Sequence, residues 1–125
     1  MSIILRVLAL ASCAWAVLLL GVKDHVIDAA QLTPLTRAYA NGLGIASLVL
    51  AAVFWDAARA PNARRGAVYS AIAFLTLKMS NNLYEILILL PPSQALFSVV
   101  DLVVNVALLV AMLEALPRTF AARAE

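Results

Sequence analysis

Four long apolar runs, each closed by a polar or proline-bearing break, constrain this chain more than any other feature. A helix that crosses a bilayer needs about 20 mostly apolar residues. Runs of that kind cover residues 3–22, 39–55, 66–90 and 94–116. The breaks have their own chemistry. "KDHVIDAAQLTPLTR" is polar and contains Pro34, "DAARAPNARRG" is basic and contains Pro61, and "PPS" at 91–93 is a turn that no helix crosses unbroken. A soluble domain is about half apolar and about a quarter charged. Here 65% of 125 residues are hydrophobic and 13% are charged. The expected fold is all-α: an integral membrane four-helix bundle of up-down topology, one domain over residues 1–125.

Charge placement gives an orientation. Arg6, Arg59, Arg64, Arg65, Arg118 and Arg123 fall on one face of this layout, and Lys23 and Arg37 on the other. Basic residues collect on the cytoplasmic side, so the N and C termini and the second loop are expected there. The first loop and the Pro-Pro turn then face outward. Tyr39, Trp55 and Tyr69 lie near span ends, where an interfacial aromatic belt would place them. The net charge of +2 does not point to nucleic acid.

"LASC" at 10–13 resembles a lipoprotein cleavage box, but the apolar stretch before it is short and "AWAVLLLG" continues after it, so the first run is expected to be a retained helix. In the first loop, "DHVIDAAQL" is expected to form a short interfacial helix with Val26, Ile27, Ala30 and Leu32 toward the membrane. Asp24, His25 and Asp28 sit there too. One histidine without a second strong ligand group does not make a metal site. Cys13, the single cysteine, lies in an apolar run with no neighbouring charge and is expected to pack. In the second span, Ala40 with Gly44 and Gly42 with Ala46 have the small-residue spacing that allows close helix approach.

The chemistry-bearing residues are in "KMSNNLYEILILLPP" and the run that follows it. Lys78, Asn81, Asn82 and Glu85 are spaced i, i+3, i+4, i+7 and share one helix face. Asp101 and Asn105, spaced i, i+4, share a face of the fourth span. The Pro-Pro turn sets the register: residues equally far from it lie at equal depth. Asn82 is then level with Asp101 and Lys78 with Asn105, leaving Lys78 and Asp101 about one turn, or ~5 Å, apart in depth. Lys78 lies ~18 Å into the span from Gly66, close to the midplane. A lone charge there costs about 2.5–3.5 kcal/mol. Mutual pairing inside the bundle is the economical solution. Interhelical polar glue would use the same residues at about 0.6 kcal/mol per hydrogen bond. The cluster, however, holds one cation, Lys78, against two acids, Glu85 and Asp101. Asn41, near the outer end of the second span, is a further candidate for the same site.

The layout of four short spans, with "FWDAARAPNARRGAVYSAI" joining the second and third, resembles the small DoxX-like bacterial membrane proteins. The resemblance rests on span number, chain length and the basic "ARAPNARR" turn. It implies a four-span protein of the bacterial inner membrane and a group that includes quinone-linked oxidoreductase subunits. It carries over no catalytic motif. Nucleophilic triads, phosphate-binding glycine loops and zinc spacings are absent from the sequence.

The leading expectation is a non-catalytic accessory or binding component. Lys78, Asn81, Asn82, Glu85, Asp101, Asn105 and Asn41 would form a polar intramembrane site for a quinone, a lipid-like ligand or a partner helix. Quinone is the candidate cofactor. The lipid bilayer, a membrane protein partner or a second copy of the chain are the candidate partners. A proton- or cation-coupled small transporter is the competing expectation, and a quinone-linked oxidoreductase subunit is the one implied by the resemblance.

Overall fold

A computed structural model describes residues 1–23, 33–93 and 95–121. Every regular element among the described residues is helical. α1 spans Ser2–Val17 and runs on as a π-helical segment, Leu18–Val22. α2 spans Pro34–Arg59. α3 spans Arg65–Tyr84 and also ends in a π-helical segment, Glu85–Leu89. α4 spans Leu96–Ala121. With their π-helical extensions, all four are long and apolar enough to cross a membrane, at 21, 26, 25 and 26 residues. The interfacial helix expected over "DHVIDAAQL", with Val26, Ile27, Ala30, Leu32 and the nearby Asp24, His25 and Asp28, lies outside the described residues.

The helices form two compact units, residues 2–59 and 60–125. In the first, α1 and α2 pack as an antiparallel pair. The Ser2 hydroxyl donates to the Ala58 carbonyl, which ties the start of α1 to the end of α2. Leu5, Leu8, Ala9, Ser12 and Ala16 are buried along α1 at helical spacing. At the other end, Leu19 and Leu20 of the π-helical segment lie against Gly44 of α2. A Cβ built on Gly44 would stand 2.6 Å from Leu20 Cγ and 3.3 Å from Leu19 Cβ, whereas one on Gly42 would meet nothing within 4 Å. Only one of the two small-residue pairs in α2, the Ala40–Gly44 pair, thus has its glycine in close contact within this hairpin.

α2 is longer at both ends than the apolar run 39–55. Pro34 starts the helix instead of breaking it, because a first-turn residue needs no N–H donor to the helix and proline's φ suits that position. Thr33 caps it: the Thr36 amide donates to Thr33 Oγ1 at 3.2 Å and the Arg37 amide to the Thr33 carbonyl at 3.0 Å. Apolarity is therefore a poor guide to where this helix begins. It ends at Arg59, ahead of Pro61, and the chain turns through Ala60–Arg64 with the Ala63 and Arg64 amides donating to the Ala60 carbonyl.

In the second unit, α3 and α4 pack antiparallel around the Pro91–Pro92 turn. Leu90 is extended, as a residue before proline prefers, and its amide closes the π turn onto the Glu85 carbonyl at 2.8 Å. Buried or half-buried positions recur along α3 as Val68, Ala71, Leu75, Lys78, Asn82 and Glu85. Along α4 they recur as Ser98, Asp101, Asn105, Leu108, Met112 and Ala115. Both series alternate steps of three and four, the spacing of a helix–helix seam. Counted from the turn, the two series match position for position. Their members near the turn are polar and those far from it apolar. At the far end the Arg65 guanidinium sits 4.7 Å from the centre of the Phe120 ring, and the Tyr69 and Phe120 centroids are 5.9 Å apart. These contacts help carry α4 through Pro117 to Ala121, past the end of the apolar run 94–116. Thr119 Oγ1, donating 2.8 Å to the Ala115 carbonyl, adds a further bond beyond the proline.

Hydroxyls elsewhere return to their own helix. Ser47, Thr76 and Ser80 each donate to the carbonyl four residues earlier at 2.8–3.0 Å. A helix surface can then carry serine or threonine into an apolar medium without an unsatisfied donor.

The close approach at Gly44 gives a direct test. Gly44→Ala should destabilise the first hairpin by about 1–2 kcal/mol, since Leu20 must shift and the helix-propensity gain of alanine offsets only part of that. Gly42→Ala should leave stability unchanged or raise it by up to about 1 kcal/mol. Thermal unfolding of the purified variants in detergent, followed by circular dichroism, measures both.

Candidate functional site

The polar half of the α3–α4 seam is held by two sets of hydrogen bonds. In the first, Lys78 Nζ donates to Asp101 Oδ1 at 3.0 Å, an ion pair whose side chains are 31% and 23% exposed. Asn82 Nδ2 donates to the other oxygen, Oδ2, at 2.9 Å. Asn82 is buried, so its amide is a fixed donor that holds the carboxylate plane while the lysine neutralises its charge.

In the second, Glu85 accepts at both oxygens. Asn81 Nδ2 donates to Oε1 at 2.7 Å within α3, and Ser98 Oγ donates to Oε2 at 2.6 Å from α4. Glu85 opens the π-helical segment, so the wider turn begins at the residue that bridges the helices. Such local widening is frequent at functional sites. Among the described residues no cation pairs with Glu85; both its partners are neutral.

Asn105 completes the series. It is 4% exposed, and its Nδ2 has no hydrogen-bond partner. The register explains this. Asn105 is as far from the Pro-Pro turn as Lys78, whose ammonium carries donors only and so offers the amide nitrogen no acceptor, and which donates to Asp101, the next position nearer the turn. An unsatisfied buried donor costs about 1–3 kcal/mol.

Six of the seven residues expected from the sequence therefore lie on this one hairpin. Lys78, Asn82 and Asp101 form one hydrogen-bonded group, Asn81 and Glu85 belong to another, and Asn105 stands on the same seam without a bond to its Nδ2. Asn41 is on α2, in the other hairpin, with its side chain exposed. Ser98 was not among the expected residues. The register that pairs Asn82 with Asp101 also pairs Glu85 with Ser98, so the signal was in the sequence, but a lone serine beside a phenylalanine in an apolar run does not announce itself.

No protein-family model, no curated protein and no solved structure matches this chain.

The arrangement behaves as a coupled pair. Asp101→Asn should leave the Lys78 ammonium without its carboxylate and destabilise the second hairpin by about 2–3 kcal/mol, below the full cost of breaking a sealed pair because both side chains are partly open. Replacing both residues, Lys78→Met with Asp101→Leu, should recover most of that loss. A double-mutant cycle on unfolding in detergent measures the coupling, with about 1–2 kcal/mol expected.

Proposed function

We propose that this chain is a multi-pass membrane protein of the bacterial inner membrane, and that it acts as a non-catalytic binding or accessory component. On this reading the four helices cross the bilayer in alternating directions. Both termini and the turn around Arg59–Arg65 lie on the cytoplasmic side, and the Pro-Pro turn lies outside. The polar half of the α3–α4 seam is the binding site. It takes an amphipathic molecule of quinone or lipid type, or a polar residue of a partner helix.

One observation carries this reading: the Lys78–Asp101 pair is partly open in helices otherwise suited to hydrocarbon. Charged groups near the middle of a bilayer are stable when turned to each other and shielded on every side. Here the two groups face each other while their side chains stay partly exposed. Polar atoms of a ligand or a neighbouring helix would complete the shield, while an apolar tail would lie on the exposed leucine and valine surface beside it. The quinone form of the reading also agrees with the DoxX-like layout. Glu85, with no cation beside it among the described residues, favours a second reading, proton- or cation-coupled transport. That reading predicts a flux into proteoliposomes that Asp101→Asn or Glu85→Gln removes.

Binding is testable on the purified protein. Decylubiquinone or a short-chain phospholipid at about 100 times its dissociation constant should raise unfolding stability by about 2.7 kcal/mol. The Asp101→Asn variant should need roughly tenfold more of the same molecule for the same gain. No shift with either molecule, and none with a co-purifying membrane partner, would remove the binding reading. Topology is tested separately by single cysteines at positions 64 and 93 in a Cys13→Ser background. A membrane-impermeant maleimide added to spheroplasts should label the second and leave the first untouched.

A further inference from the structure

The end of the second unit away from the Pro-Pro turn gathers positive charge. Arg64 precedes α3, Arg65 opens it and Arg118 lies in the last turn of α4; all three are exposed. The acids between residues 60 and 121 are Glu85, Asp101 and Glu114. Glu85 and Asp101 belong to the polar half of the seam. That leaves Glu114, one turn before Arg118, as the acid near this end, and arginine is in excess there.

Arg65 is held in an unusual way. Its guanidinium sits 4.7 Å from the centre of the Phe120 ring, and that ring lies 5.9 Å from Tyr69, one turn further along α3. The ring attracts the cation through its face and accepts none of the in-plane N–H bonds that the fork can make. Among the described residues Arg65 has neither an acid nor a carbonyl as partner. A planar cation is thus fixed in place with its donors unspent, and part of the ordering cost of binding is already met. There is room beside it: a Cβ built on Gly66 would meet nothing within 4 Å. The depth is right for a headgroup. The helices of this hairpin are 25 and 26 residues long, about 38 Å by rise, against a hydrocarbon core of about 30 Å, so their ends reach the polar layer.

We propose that Arg65, held by Phe120, binds the phosphodiester of an anionic phospholipid where this end of the hairpin meets the membrane surface. The site is at the opposite end of the hairpin from the polar seam and does not depend on it. Arg65 supplies the paired donors that two phosphate oxygens accept, and Phe120 is its positioning residue. Arg64 and Arg118 add a field that favours a lipid with net negative charge and repels the ammonium of an ethanolamine headgroup. The Tyr69 ring, 53% exposed, flanks the start of the acyl chains.

The test uses the full chain in detergent, equilibrated with equimolar phosphatidylglycerol and phosphatidylethanolamine of identical acyl chains, with retained lipid counted by native mass spectrometry. The wild type should keep the glycerol lipid over the ethanolamine lipid by about fivefold or more, the ratio that one arginine at a membrane surface supplies. Arg65→Gln should bring the ratio close to one. Phe120→Leu keeps every charge and should still lower the ratio about twofold or more, while Phe120→Trp, which restores a ring face, should keep it. Arg65→Lys keeps the charge and loses the fork; its ratio should also fall, which tests the geometry should Phe120→Leu unfold. No headgroup preference in the wild type, or a preference that survives Arg65→Gln, overturns the proposal. So does a ratio that ignores both Phe120→Leu and Arg65→Lys yet falls with Arg118→Gln, because the end is then a diffuse basic collar. Displacement of the lipid by excess inorganic phosphate overturns it too, by showing a site for the free anion. The seam is unaffected by any of these results, since decylubiquinone tests it separately.

Discussion

The ion pair between Lys78 and Asp101 is the interaction on which the second hairpin depends. Each partner would be expensive alone in a helix this apolar, and each makes the other tolerable. Their bond joins α3 to α4 and faces the polar residues of the two helices toward each other. Asn82 fixes the second carboxylate oxygen, so the pair has a preferred geometry as well as a charge balance. Glu85 and Ser98 repeat the crossing one layer nearer the turn. The far half of the seam uses apolar packing, closed by the Arg65–Phe120–Tyr69 contacts.

The first hairpin reaches the same antiparallel arrangement by different means. Its close approach comes from Gly44, which admits Leu19 and Leu20 of the π-helical segment. The two hairpins thus illustrate two ways to associate long apolar helices: small residues that permit contact, and polar groups that require it. The first lets the helices approach closely. The second leaves groups that can interact with something else, which is why the candidate site falls there.

Much of this was legible in the residues. Helix number, helix type and the shared face of Lys78, Asn81, Asn82 and Glu85 follow from local periodicity, and the proline pair fixes the register across the turn. Helix ends were less legible. Pro34 reads as a break until Thr33 is seen to cap it, and α4 outlasts its apolar run because contacts distant in sequence hold its last turn. Asn41 stands on α2, in the other hairpin, so the hydrogen bonds of the α3–α4 seam do not bear on its place in the site.

The sequence by itself determined four apolar helices, the turn that pairs the last two and the positions of their polar residues, because each of these is set by spacing within a few turns of chain. Only the tertiary structure decided which donor meets which acceptor. Lys78 reaches one layer toward the turn to Asp101, Glu85 is held by Asn81 and Ser98, and Asn105 Nδ2 is left over. The physical reason is competition. A long flexible lysine can serve more than one layer, and its choice depends on every neighbouring donor and acceptor at once, which no local pattern encodes.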